Sequence, residues 1–166
     1  MEVLIYSGGI EHLSFKCDFI DDAFIKKLEK IYASALEADG SVPQAAKDVE
    51  ISLTFMNEDE IAKINKDYRD VASPTDVLSF PMWESENGSF TPPDDWEVLP
   101  LGDIMVCLDS VSKNADENKK TLEEETVLVI SHGLLHLLGR DHDTKEREES
   151  MWREQDSLVK EYFNLQ

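Results

Sequence analysis

The chain has 166 residues, 36 acidic against 16 basic, for a net charge of −20. One domain over residues 1–166 fits that length, with enough chain to bury about two-thirds of its unfolded surface. The acidity excludes non-specific polyanion binding by the surface as a whole, since it repels such a ligand over about 8–10 Å at physiological salt. It suits a basic protein partner, and it equally suits simple solubility.

Residues 1–6, with Val3, Leu4 and Ile5, read as a first strand. His12 follows a Gly8-Gly9 turn without metal-like neighbours and is taken as incidental. Ile20, Phe24, Leu28, Ile31 and Ala35 recur at spacings of three and four and predict a helix over 18–38, with Lys26, Lys27 and Lys30 on a solvated face. Alternation of Val49, Ile51, Leu53 and Phe55 predicts a half-buried strand over 49–55. Asn57 and Glu60 are a cap pair for a helix that ends near Arg69, ahead of an Ala72-Ser73-Pro74 turn. Residues 76–80 are a strand stopped at Pro81.

Residues 83–98 hold five acids, two prolines and no basic residue, the composition of an exposed, mobile loop whose ends Trp83 and Trp96 anchor. A strand over 101–108 and a short helix over 109–118 follow. Thr121 and Glu124 form a capping box for a helix running to Leu138, and Asp143 with Glu146 starts a last helix reaching about Phe163. The longest apolar run, 127–138, is interrupted by Ser131 and His132, so it is a buried helix and not a membrane span. Cys17 and Cys107 read as buried, reduced thiols. With no signal peptide in view, they place the chain in the cytoplasm.

Three of the four histidines fall within residues 131–142. His132 and His136 are four apart, one turn above the other on a single helix face. Gly139 suits a left-handed turn that brings His142 back toward the same point. A lone histidine on an apolar helix is usually a packed core residue; three at this spacing are not. Three neutral imidazoles with no fourth protein ligand describe one zinc ion with an open position. Such a site keeps a water whose pKa falls to roughly 7.

The stretch overlaps the H-E-x-x-H-x-x-G-x-x-H pattern of metzincin peptidases. Gly133 stands where that pattern has its glutamate, the base that takes a proton from the attacking water. The metal scaffold is present without the peptidase's base. A metzincin-type zinc peptidase therefore rests on histidine spacing alone.

Three stretches carry a fuller resemblance: His132 through His142; Asn65-Lys66-Asp67-Tyr68-Arg69 followed by Pro74-Thr75-Asp76-Val77-Leu78-Ser79-Phe80-Pro81; and Leu101-Gly102-Asp103-Ile104. In order and spacing the sequence resembles the bacterial YbeY family of metal-dependent endoribonucleases. It departs from the family at Arg140, where an aromatic residue is frequent, and in a longer acidic 83–98 loop. The resemblance implies an α+β, zincin-like fold, a small mixed sheet packed by helices with the metal-binding helix beside it. It implies single-strand-specific, zinc-dependent cleavage in 16S rRNA 3′-end maturation and ribosome quality control, with the small ribosomal subunit as partner. It carries the metal ligands onto His132, His136 and His142, and a functional arginine onto Arg69.

Arg69 suits a phosphate clamp and equally suits the negative end of its own helix. Asp141 either orients a ligand imidazole or caps a turn. Asp76 is either a proton acceptor or a strand-end group. No general base is apparent. Lys113, Lys119, Lys120 and Arg69 are candidates for a local basic patch, and a basic ribosomal protein is the alternative route to RNA. A third class, a ribosome-assembly factor that binds without cutting, also fits the acidity.

Overall fold

The computed structural model describes residues 1–165. The His12 side chain, and with it the expectation that this histidine is incidental, lies outside the described residues.

The elements in chain order are β1 (Glu2–Gly8), a 3-10 turn (Ile10–His12), α1 (Asp22–Asp39), β2 (Asp48–Met56), α2 (Glu58–Arg69), β3 (Val77–Pro81), β4 (Val98–Cys107), α3 (Leu108–Asn118), α4 (Leu122–Leu137) and α5 (Lys145–Asn164). The sheet order is β1-β2-β4-β3. The pairs β1·β2 and β2·β4 are parallel, while β3 runs antiparallel to β4 at the edge. This is the mixed sheet packed by helices that the family resemblance implies.

Alternation along β2 buries Val49, Ile51, Leu53 and Phe55 on one face, where they join a core with Leu28 of α1, Val127 and Leu134 of α4 and Met151 of α5. The opposite face is thinner: Ile61 of α2 packs on Leu78 of β3 and Cys107 of β4. In β4 the register to β2 slips by one residue between Glu50 and Ile51. Gly102 follows the slip at φ 140°, and a Cβ there would lie 2.2 Å from the Phe80 carbonyl oxygen. Only glycine permits strands β3 and β4 to close at this point.

Several boundaries move. The first turn of α1 begins later than the periodicity suggests, at an Asp21 cap accepting from Phe24 N at 2.8 Å. Strand β4 starts at Val98, because Val98 to Pro100 pair with β2. Thr144, not Asp143, caps α5, accepting from Arg147 N at 3.2 Å, while Asp143 pairs with the Arg147 guanidinium. Cys107 is buried but Cys17 only half so.

The 83–98 segment is tied down. Glu84 bridges to Phe90, and Thr91 N donates to the Trp83 carbonyl at 2.9 Å. Trp83 packs edge-on against Trp96 at 5.1 Å and donates its indole N–H to the Pro100 carbonyl at 2.6 Å. Among the described residues no helix is long and apolar enough to cross a membrane.

Candidate metal centre

Helix α4 begins with both halves of the capping box: Thr121 Oγ1 accepts from Glu124 N at 3.1 Å, and Thr121 N donates to Glu124 Oε1 at 3.2 Å. From Glu125 to Leu138 only Leu128, His132 and His136 are less than fully buried, so the helix opens one narrow window. On its packed side a Cβ at Gly133 would meet Ile104 Cγ2 at 2.9 Å. The position that carries a peptidase's glutamate is therefore pressed onto β4, with no room for a side chain.

The helix ends at Leu137 with Leu138 as its C-cap, and Gly139 turns left-handed at φ 80°. Arg140 N reaches back to the Leu135 carbonyl at 3.0 Å. The reversed chain delivers His142. Ligand atoms of His132, His136 and His142 all lie within 4.8 Å of one another.

Two observations test whether these residues fit a metal. His132 Nε2 and His136 Nε2 are 3.0 Å apart, close to the roughly 3.3 Å separating two nitrogens of a tetrahedral zinc with 2.0–2.1 Å bonds. Their outer bonds aim the lone pairs inward. His132 Nδ1 donates to Gln155 Oε1 at 2.9 Å, which leaves Nε2 unprotonated on the site side. The His136 ring bonds to the Arg140 backbone, and burial, then the neighbouring His132 and His142, push its pKa down to about 4. The tautomers that satisfy both outer bonds leave two lone pairs facing each other, an arrangement suited to a cation between them.

The triad opens into a cleft of about 380 Å³, walled by residues from Thr75 to Ser79 and reached by Arg69. Arg69 is the last residue of α2. That end is fixed by Asn65, buried to 2 % exposure, whose Nδ2 donates to the Ser73 carbonyl at 3.0 Å. Arg69 is exposed and is the only cation lining this cleft among the described residues. The expected basic patch does not extend into it: Lys113 pairs with Glu58 at 3.2 Å, and neither Lys119 nor Lys120 lines the space.

For two of the paired readings, the bonds of the structural alternative are in place. Asp141 Oδ1 accepts from His142 N at 2.7 Å and caps the turn. Asp76 accepts from Val77 N at 2.8 Å and from Asn114 Nδ2 at 3.1 Å, tying β3 to α3 from the cleft wall. Arg140, the family departure, pairs with Asp39 and with Glu154 Oε1 at 3.4 Å, linking the metal turn to α1 and α5. Sequence reasoning missed Gln155 as the orienting group. Its signal was a polar residue on the buried stripe of Met151, Leu158 and Tyr162. It also missed Glu125, buried beside His132 in a side hollow, with Oε2 unpartnered and a pKa raised chiefly by burial.

Known proteins share this architecture. A family model described as Endoribonuclease YbeY matches residues 16–163. The Endoribonuclease YbeY of Caldanaerobacter subterraneus is 37 % identical over 141 residues, covering 83 % of this chain and 89 % of the relative. That of Bacillus subtilis is 36 % identical over 143 residues, covering 86 % and 88 %. The solution structure of a Thermotoga maritima protein, 30 % identical, superposes with a TM-score of 0.54 over 97 % of this chain and 89 % of the other. With a family match across nearly the whole sequence and relatives above one-third identity, the chain belongs to the YbeY endoribonuclease family.

Proposed function

We propose that this chain is an endoribonuclease that cuts single-stranded RNA in the cleft between α4 and β3. His132, His136 and His142 hold one zinc ion, and Arg69 engages the phosphate. The observation that carries the reading is the convergence of three imidazoles on one point beside a helix position, Gly133, that has no space for a peptidase's carboxylate. The same packing counts against the zinc-peptidase alternative.

A zinc ion bound there would supply Lewis acidity, both to a water and to a phosphoryl oxygen. The chain's own groups do the rest. Gln155 holds His132 in the tautomer that presents Nε2. Burial keeps His136 neutral and hence able to ligate. Arg69 meets the charge that grows on the phosphate oxygens with a planar pair of donors, and it is paired with no carboxylate among the described residues.

The RNA is that of the small ribosomal subunit, cut in 3′-end maturation and in ribosome quality control, in the cytoplasm, by a single domain spanning 1–166. A basic ribosomal protein recruits a chain whose net charge of −20 gives it no general attraction to RNA. The deciding experiment uses precursor small-subunit particles, with wild type and His136→Ala purified in parallel. Cleavage by wild type alone supports the reading. Equal activity in both assigns the signal to a contaminant and leaves a factor that binds without cutting. Casein hydrolysis by wild type would restore the peptidase.

A further inference from the structure

Strand β3 is an edge, and its pairing has a parity. Cys107 N donates to the Asp76 carbonyl at 2.9 Å, and Met82 N donates to the Leu101 carbonyl at 3.0 Å. The register between them sets Val77 against Val106, Ser79 against Ile104 and Pro81 against Gly102. In an antiparallel ladder, hydrogen-bonded and non-bonded pairs alternate. Asp76, Leu78, Phe80 and Met82 therefore turn their backbone groups toward β4. Val77, Ser79 and Pro81 turn theirs outward, to the edge that walls the histidine cleft.

The three outward positions differ. The Val77 amide is taken by Asp76 Oδ1 at 2.8 Å. Pro81 has no N–H, and an edge strand accepts proline only where that N–H would face away from the ladder. Ser79 is left with an outward amide. Together with His136 it borders both the histidine cleft and the adjoining hollow of about 180 Å³ toward Glu84 and Gly88.

We propose that the Ser79 backbone N–H donates to a non-bridging oxygen of the scissile phosphodiester, in the cleft that Arg69 also lines. This rests on the nuclease reading of the site. The ladder bonds of Leu78 and Phe80 hold the amide on both sides, so it meets developing charge without reorganising. A neutral dipole also suits this cleft, where Arg69 is the only cation among the described lining residues. Removing one such donor typically costs on the order of 100- to 1,000-fold in kcat.

Ser79→Pro removes this donor and no ladder bond. The expected result is a fall in kcat of roughly 100-fold with zinc content unchanged. Ser79→Ala keeps the amide, isolates the hydroxyl and should lose less. A second readout needs neither metal nor cleavage: titrating a short deoxyoligonucleotide into the metal-free protein should move the Ser79 amide resonance downfield more than those of Leu78 and Phe80. Wild-type kcat in zinc-loaded Ser79→Pro, or an unmoved Ser79 resonance, overturns the proposal. If Ser79→Pro does not fold, the resonance decides. If the wild type cuts no RNA, the nuclease reading fails on its own, and the resonance still reports whether the phosphate contact exists.

Discussion

Gln155, near the middle of α5, accepts a hydrogen bond at 2.9 Å from His132 Nδ1 on α4. The amide oxygen has only 9 % of its residue exposed to compete with water, so the imidazole tautomer is set by a residue 23 positions away in sequence. Gln155→Leu should lower zinc affinity about 10- to 100-fold, the usual effect of losing a ligand's outer partner. Competition against a chelator of known affinity measures this. Unchanged affinity would remove Gln155 from the metal site.

Arg69 stands apart from the fold's own ion pairs and is exposed. Arg69→Ala should therefore leave Tm and zinc content as they are, while RNA cleavage falls on the order of 100- to 1,000-fold. Cleavage at the wild-type rate would return Arg69 to the other reading, a cation at the negative end of α2.

His136 predicts a pH effect with a definite sign. Its ring, with an ordinary value of 6.5, is held neutral down to about 4. Below 6.5 the unfolded chain takes a proton that the folded, metal-free protein refuses. Stability from this group is thus fully present above pH 6.5 and is lost progressively as the pH falls toward 4. The many carboxylates titrate in the same region, so the measurable quantity is the difference between wild type and His136→Gln. Urea midpoints of the metal-free pair should converge as pH drops from 7 to about 4. A constant difference would show that the ring is not buried as described. With zinc present, His136→Ala should abolish stoichiometric binding.

Gly133 has Ile104 Cγ2 2.9 Å from where a Cβ would sit. Gly133→Ala should destabilise by about 1–3 kcal/mol through overpacking, read as a lower thermal midpoint. Gly133→Glu should unfold the helix–sheet contact before it yields any peptidase activity.

Much of this was legible in the sequence because local rules decided it. The capping boxes at Asn57 and Thr121 form as their side chains dictate. The alternation of β2 buries the residues it predicts, and Gly139 takes its left-handed turn. What escaped was set by packing between distant segments. Nothing near residue 155 announces that its amide meets an imidazole on another helix. Ser79's outward amide follows from a register that only pairing with β4 establishes. The acid-rich 83–98 segment keeps its expected anchor in Trp83 and Trp96, but the backbone bridge from Glu84 to Phe90 that also fastens it is not encoded in composition.

The turn at Gly139 carries one more consequence. A Cβ there would lie 3.0 Å from Phe90 N and 3.1 Å from the Gly88 oxygen, so the bend that delivers the third imidazole is seated on a stretch of backbone fifty residues upstream. Length variation in the acidic excursion should therefore be asymmetric. Natural relatives should vary in length beyond Thr91, toward the aspartates, and hold their length between Trp83 and Phe90, where an insertion would lift the seat from under the histidine.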